Sequence, residues 1–440
     1  MPHSYGTQPT QTLLICALLA AASTSTLHAA PGAGFRVLHS FCKKPGCTDG
    51  GPSTGGVIAD DAGNLFGASD DGGASGLGVV FELAEQNGGD KFSYARLHNF
   101  CTGNCKDGSA PEFPLIRDQA GNLYGTTASG GAAGGGVVFE LMPGAGRWTL
   151  NVLHKFCAPD SGTCKEGASP SAGLAYQGGA AGLPYDGHSP LFGTTAAGGA
   201  LNGGAVFALM LENGKWRARS LHDFCPPPSC AGGSRPLGGL LLDSGGNIFG
   251  VTNLGGAHDE GAVFELSPAG SKYDYTVIYD FCSQQNCIDG VEPAGGLALD
   301  VSGNLYGTTS RLGTHDAGTL FELSPDHGKF DFQVLHQFCD AVNCTDGGAP
   351  SASLTLDENG NIFGTTTQFG NTTGGGTLFE LSPSDSGWTD TVLYGFCSET
   401  NCADGTFPKS HVILDQAGNL FGTTEAGGST GAGVVFEFRP

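Results

Sequence analysis

Residues 296–338 read GLALDVSGNLYGTTSRLGTHDAGTLFELSPDHGKFDFQVLHQF, and four short extended segments stand out in them. They are 296–300 (GLALD), 304–309 (NLYGTT), 318–323 (GTLFEL) and 330–338 (FDFQVLHQF). Each is rich in aliphatic, aromatic and Thr residues and is bounded by Gly, Pro, Asp or Asn, the pattern of β-strands separated by turns. The D-x-x-G-N link between the first two suits a tight hairpin, because Asp bonds its own backbone and Gly accepts positive φ.

The same unit recurs seven times at a spacing of about 58 residues, a period in the range of repeat architectures. Its first landmark is Phe-Cys, at Phe41, Phe100, Phe156, Phe224, Phe281, Phe338 and Phe396. The second is G-N-(L/I)-(F/Y)-G, beginning at Gly63, Gly121, Gly246, Gly303, Gly360 and Gly418, with a degenerate copy at 189–193. The third is an apolar run ending in Phe-Glu-Leu, as at Val79 to Leu83 and Val137 to Leu141. Four antiparallel strands repeated seven times predict an all-β, seven-bladed β-propeller. A fourth strand (Phe35 to Phe41) precedes the first full unit and a third strand (Val434 to Phe438) comes last. Together these complete one blade and close the ring, which removes two adhesive sheet edges; an open solenoid gains nothing from such a split.

The boxes Gly121-Asn122-Leu123-Tyr124-Gly125-Thr126-Thr127 and Gly136-Val137-Val138-Phe139-Glu140-Leu141 resemble those of the GloVer-type (Gloeobacter/Verrucomicrobia) tandem repeat proteins, a bacterial secreted family. The resemblance spans nearly all of 31–440 and implies an extracellular, propeller-like array. It brings no catalytic residues to carry over.

Composition agrees with this reading. The chain has 76 Gly among 440 residues, which disfavours long helices, since an interior Gly costs up to about 1 kcal/mol relative to Ala. The net charge is −23, from 42 acidic against 19 basic residues, and argues against nucleic acid, which needs Lys and Arg to neutralise phosphates. Residues 1–30 hold no Lys, Arg, Asp or Glu but carry the apolar run Leu13 to Ala22 and a small-residue end at Ala29. They read as a secretory signal peptide, too short to span a membrane, although its start lacks the usual positive charge. Cys16 follows Ile15, where a lipidation site needs a small residue. No second apolar stretch follows, so a secreted protein without a membrane span is expected, most simply as a monomer.

After Cys16, fourteen cysteines form one local pair per unit: Cys42/Cys47, Cys101/Cys105, Cys157/Cys164, Cys225/Cys230, Cys282/Cys287, Cys339/Cys344 and Cys397/Cys402. An even count behind a signal peptide predicts disulfides, while zinc would need four ligands where each unit supplies two. Because strands alternate in direction, the Cys loops and the Gly-rich loops between second and third strands share one face. His39, His98, His154, His222 and His336 recur at one strand position, with Tyr279 and Tyr394 in the other two units. Equivalent residues of a ring lie too far apart to share an ion, so a packed aromatic with a hydrogen bond is expected. The acid after the second Cys (Asp49, Asp107, Glu166, Asp289, Asp346, Asp404) reads first as a turn residue, with one calcium per blade as the other option.

Departures from the repeat mark candidate binding residues, because packing does not demand them. Units four and five carry His258, Asp259 and Glu260, and then His315 and Asp316, in corresponding Gly-rich loops. Arg311 lies beside the second of these, with Arg235 and Glu292 near the start of the inner strands. Glu112, Lys409 and His411 decorate inner strands, and an insertion, Gln177 to His188, falls on the opposite face. The expected function is a binding module for an extracellular polysaccharide or a protein, with no cofactor unless calcium. The competing class is a carbohydrate-active enzyme, glycoside hydrolase or lyase, with carboxylates near the axial mouth. Gly427 to Gly431 matches G-x-S-x-G but lies in a repeated loop with no helix to follow, so no catalytic residue is assigned.

Overall fold

The computed structural model describes residues 34–440 apart from 87, 90, 158–163, 226–229 and 386. The leader 1–30 and Cys16 lie outside the described residues. The described chain forms seven antiparallel sheets in a ring, numbered here as blades 1–7 in chain order. Blade 5 illustrates them: Ala298–Leu299 pairs with Leu305–Arg311, that with Thr319–Asp326, and that with Lys329–Gln337. Blade 7 is composite, because Gly34–Ser40 supplies its outer strand beside Val434–Arg439, from Gly34 opposite Arg439 to Ser40 opposite Val434. The ring therefore closes through the first and last strands.

The landmark residues carry the packing. In every blade the Gly of the second strand sits opposite the Phe of the third, as Gly307 does with Phe321. A Cβ at Gly67, Gly125, Gly193, Gly250, Gly307, Gly364 or Gly422 would lie 2.5–2.7 Å from the ring tip of that Phe. Only Gly fits beneath the ring. The same Phe also meets the Phe of the preceding Phe-Cys pair, with ring centroids 5.0–5.4 Å apart at all seven blade junctions. Both rings are buried throughout. Seven apolar clusters result, each shared by two adjacent blades.

Hydrogen bonds explain the remaining letters. The second residue of the Thr-Thr pair accepts the N–H that opens the third strand, as Thr309 does from Thr319 at 3.0 Å. In blades 2, 3, 6 and 7 the first Thr reaches the next blade: the Thr194 hydroxyl donates to the Gly238 carbonyl at 3.4 Å. In blade 7 the Thr423 hydroxyl donates to the Ser53 carbonyl of blade 1 at 2.7 Å.

The cysteines pair within their own units as the sequence predicts. Cys42 is bonded to Cys47, Cys101 to Cys105, Cys157 to Cys164 and Cys225 to Cys230. Cys282 is bonded to Cys287, Cys339 to Cys344 and Cys397 to Cys402. The second Cys of each pair also ties its loop to the Gly-rich loop of the same unit through its backbone carbonyl. Cys47 accepts the N–H of Gly73, Cys105 that of Gly131, Cys164 that of Gly199 and Cys230 that of Gly256. Cys287, Cys344 and Cys402 accept from Gly313, Gly370 and Gly428. Cys loops and Gly-rich loops therefore share a face.

One element differs from expectation. The innermost strand is not the continuous 296–300 but two stubs, Val291–Pro293 and Ala298–Leu299, pairing with opposite ends of the second strand. Between them, Ala294 to Gly296 leave the sheet, and the corresponding segments of all blades meet at the axis.

Candidate functional site

Each inner segment follows a Pro or, in blade 1, its positional equivalent Ser53, and its next residue lines the axial cavity. In blade order these residues are Thr54, Glu112, Ser171, Leu237, Ala294, Ser351 and Lys409. With their neighbours they enclose about 330 Å³, and all seven blades contribute to the wall. Five of the seven are uncharged; the two charged ones, Glu112 in blade 2 and Lys409 in blade 7, flank blade 1. His411, two positions after Lys409, packs its ring against Gly56, where a Cβ would come within 3.2 Å of it.

A second tier follows at the residue after the Thr-Thr pair or its equivalent. There the blades present Asp70, Ala128, Ala196, Asn253, Ser310, Thr367 and Glu425. The charged members belong to blades 1 and 7. Lys409 Nζ lies 2.7 Å from Glu425 Oε2. Burial first, then the neighbouring carboxylates of Asp71, Glu112 and Glu425, push Asp70 up to about 6. Its Oδ1 is buried and has no hydrogen-bond partner among the described residues. Burial and then Asp71 also raise Glu112. Burial pushes His411 down to about 4, so its imidazole is neutral at pH 7. Around blades 7, 1 and 2 the axial mouth thus holds a crowded carboxylate group, one amine and one neutral imidazole. Blades 3–6 offer only small, aliphatic or uncharged polar groups at the same positions.

The patch expected from the sequence is only partly assembled. Arg311 Nη1 lies 3.0 Å from Glu292 Oε1. Glu260 is near both: burial first, then Glu292 and Asp259, raise its pKa, and Arg311 opposes them. Arg235 and Glu292 precede the inner-segment Pro at φ +52° and +55°. Their N–H groups donate to the Gly203 and Glu260 carbonyls of the preceding blade. Ala110, Ser169, Ala349 and Phe407 do the same elsewhere, so this position is a backbone hook and its side chain is incidental to it. The histidines do not converge. His258 is exposed, while His315 Nδ1 lies 3.0 Å from the Thr314 hydroxyl and 3.9 Å from Asp340. Asp316 accepts the Leu312 N–H of its own loop. Among the described residues no group of three His, Cys, Asp or Glu side chains is placed to hold a metal ion.

The repeated residues are structural. The acid after the second Cys accepts N–H groups from beyond the first, as Asp49 does from Lys43 and Lys44. It also meets the recurring His or Tyr: His98 Nε2 lies 3.1 Å from Asp107, and the Tyr279 and Tyr394 hydroxyls donate to Asp289 and Asp404 at 2.8 and 2.7 Å. The carboxylates of Asp49, Asp107, Asp289 and Asp404 are thereby engaged within their own units.

Glu112, Lys409 and His411 are visible in the sequence as departures from the repeat, but Asp70 and Glu425 escape that reading. The signal exists: the position after Thr-Thr, followed down the seven units, shows two acids in units that become neighbours only when the ring closes.

A family model described as the Gloeobacter/Verrucomicrobia repeat matches residues 24–189 and 173–366. No curated protein matches the chain. Among solved structures, a candidate 6-phosphogluconolactonase from Bacteroides uniformis aligns at 12% identity and a TM-score of 0.50, over 82% of this chain and 88% of its own. A candidate oxidoreductase (glucose dehydrogenase) from Thermus thermophilus aligns at 14% identity and a TM-score of 0.38, over 76% and 94%. At 12% identity the first of these speaks for the fold alone.

Proposed function

The chain belongs to the Gloeobacter/Verrucomicrobia repeat family, and from that premise we propose that it is an extracellular binding module whose polar ligand, a polysaccharide chain or its end, docks in the axial mouth. One observation carries the reading: the charged groups of both axial tiers are confined to blades 7, 1 and 2 around a cavity of about 330 Å³. Seven-fold packing does not call for Glu112, Lys409, Asp70 or Glu425, since the other blades build the same walls without charge. A row of carboxylate acceptors, an ammonium and an imidazole suits the hydroxyl-rich edge of a sugar, and the uncharged arc leaves space for its body. Seven local disulfides support an oxidising compartment, because cytosolic thiols are kept reduced.

The test is retention on immobilised polysaccharides and calorimetry with soluble fragments, comparing the native chain with Glu112→Gln, Lys409→Ala and Arg311→Ala. The expected result is at least tenfold weaker binding for the first two and unchanged binding for the third. Loss in Arg311→Ala alone would move the site to blades 4 and 5. A second reading, cleavage of the bound chain, is favoured by Asp70, a carboxyl held near 6 beside other carboxylates, as a general acid requires. It predicts released oligosaccharide that declines as the pH rises through about 6, where Asp70 loses its proton.

A further inference from the structure

The face opposite the Cys loops holds a groove of about 840 Å³ where blades 3, 4 and 5 meet. Two unrelated departures from the repeat build it. The first is the insertion Gln177 to His188, present in unit three alone. It is firmly anchored: Tyr185 is fully buried, edge-on to Tyr124 at 5.1 Å, and donates its hydroxyl to the Ser189 carbonyl. The Gln177 amide donates to the Asp243 carbonyl of blade 4 at 2.7 Å, and the Tyr176 hydroxyl to the Leu183 carbonyl at 2.7 Å. The anchored loop becomes a wall of the groove and presents Leu183, which is 59% exposed.

The second departure is Val301 at the tip of the blade 5 hairpin. At this position the other D-x-x-G hairpins carry Asp61, Gln119, Ser244, Glu358 and Gln416. Val301 is fully exposed and lines the same groove as Leu183. The floor adds the edge-to-face pair Phe249 and Phe330, 6.2 Å apart.

The groove also has a sign. Among the described residues its lining includes the carboxylates of Asp243, Asp300 and Glu265 and no Lys, Arg or His. Glu265 accepts from the Ser267 hydroxyl, whereas Glu140 and Glu322 in blades 2 and 5 accept from the hydroxyls of Tyr124 and Tyr306. Blade 4 has Phe249 at that position, which leaves Glu265 acceptor capacity for something else.

We infer that this groove is a docking site for an extended, basic and apolar peptide segment of a partner protein. Its aliphatic and aromatic side chains would cover Leu183, Val301 and the Phe249–Phe330 floor. Its Lys or Arg groups would meet Glu265 first, then the remaining lone pairs of Asp243 and Asp300, whose carboxylates also accept from Asn247 and Asn304 of their own hairpins. The groove spans parts of three blades, which fits an extended segment better than a compact molecule, and its charge complements a cation. The site is independent of the axial mouth, so either can fail alone.

The experiment uses the full chain and a fluorescein-labelled Lys-Leu-Lys-Phe-Lys-Leu-Lys peptide, read by fluorescence anisotropy. A counterpart with Glu for every Lys controls for charge. The comparison variants are Leu183→Lys with Val301→Lys, both at exposed positions, and Glu112→Gln at the axis, with circular dichroism as the folding control. The expected result is binding of the basic peptide only, at least tenfold weaker in the double variant and unchanged in Glu112→Gln. Val301→Ser, which removes apolar area without adding charge, is expected to weaken binding by about threefold. Binding that survives the double variant would be the general attraction of an acidic chain for cations and would overturn the site. Phenethylamine displacing the peptide as well as unlabelled peptide does at equal concentration would overturn the peptide in favour of a small amine.

Discussion

Gly250 shows how one residue type at one position is fixed by packing rather than by a turn. It lies mid-strand, where Gly is normally unfavourable, and its missing Cβ makes room for the Phe264 ring tip, 2.6 Å from where that atom would stand. Gly250→Ala is expected to cost about 1–3 kcal/mol through overpacking, read as a lower guanidinium midpoint at unchanged slope. His39 carries a different residue-scale consequence. It stacks on Tyr94 at 4.4 Å, and burial, partly opposed by Asp49, lowers it to about 4. Between about 6.5 and 4 the unfolded chain binds a proton that the native His39 refuses. Its contribution to stability is therefore complete above about 6.5 and is lost as the pH falls toward 4. Tyr279 and Tyr394 fill the equivalent position in two blades, so His39→Tyr is a compatible replacement. Urea midpoints measured from about pH 7.5 to 4.5 are expected to fall less steeply on acidification in that variant than in the native chain.

At the scale of elements, the second, third and fourth strands are legible because their apolar residues alternate and their turns are spelled out by Gly, Asn and Asp. The innermost strand is not, and 296–300 is the wrong extent for it. Ala294, Gly295 and Gly296 have too little side chain to declare a side, and contact with the other blades, rather than local pattern, pulls that segment out of the sheet. The fourth strand carries a bulge in every blade, for example between Val334 and His336, which turns the recurring His or Tyr toward the loop acid. Outside unit four, where Ala231 and Gly232 follow the second Cys, the Cys loop carries that acid as well as its disulfide, and Asp289 illustrates the double hold. Replacing Cys282 and Cys287 together by Ser is expected to cost about 2 kcal/mol, the loop-closure value for so short a ring. Retention of the fold at that cost, seen by denaturant unfolding under non-reducing conditions, would match the continued hold of Asp289 on the Ser283 N–H at 2.9 Å.

At the scale of the whole molecule, closure depends on contacts that no single unit contains. Glu437 is 2% exposed and pairs with Arg36 from the first strand and Arg439 from its own, and both arginines also reach the Gly89 carbonyl of blade 1. The corresponding Glu82, Glu140, Glu265, Glu322 and Glu380 are only half-buried. Glu437→Gln removes the carboxylate that the two arginines share and is expected to cost about 3 kcal/mol. Limited proteolysis is the direct readout, with cleavage appearing first in the Gly34–Ser40 strand if the clasp holds the ring shut.

The sequence alone determined the repeat, the seven blades and the disulfide pairing, because each rests on contacts within one unit or its immediate neighbour, copied seven times. It showed the closure because one blade is split between the first and last strands. It also separated structural residues from departures, and Glu112, Lys409 and His411 were among the departures. Only the tertiary structure decided which departures meet. His258 and His315 lie at matching loop positions, yet they have different surroundings, since adjacent blades diverge outward from the axis. Asp70 and Glu425 are 355 residues apart in the chain and come together because the ring places blade 7 beside blade 1 near the axis, where the blades converge.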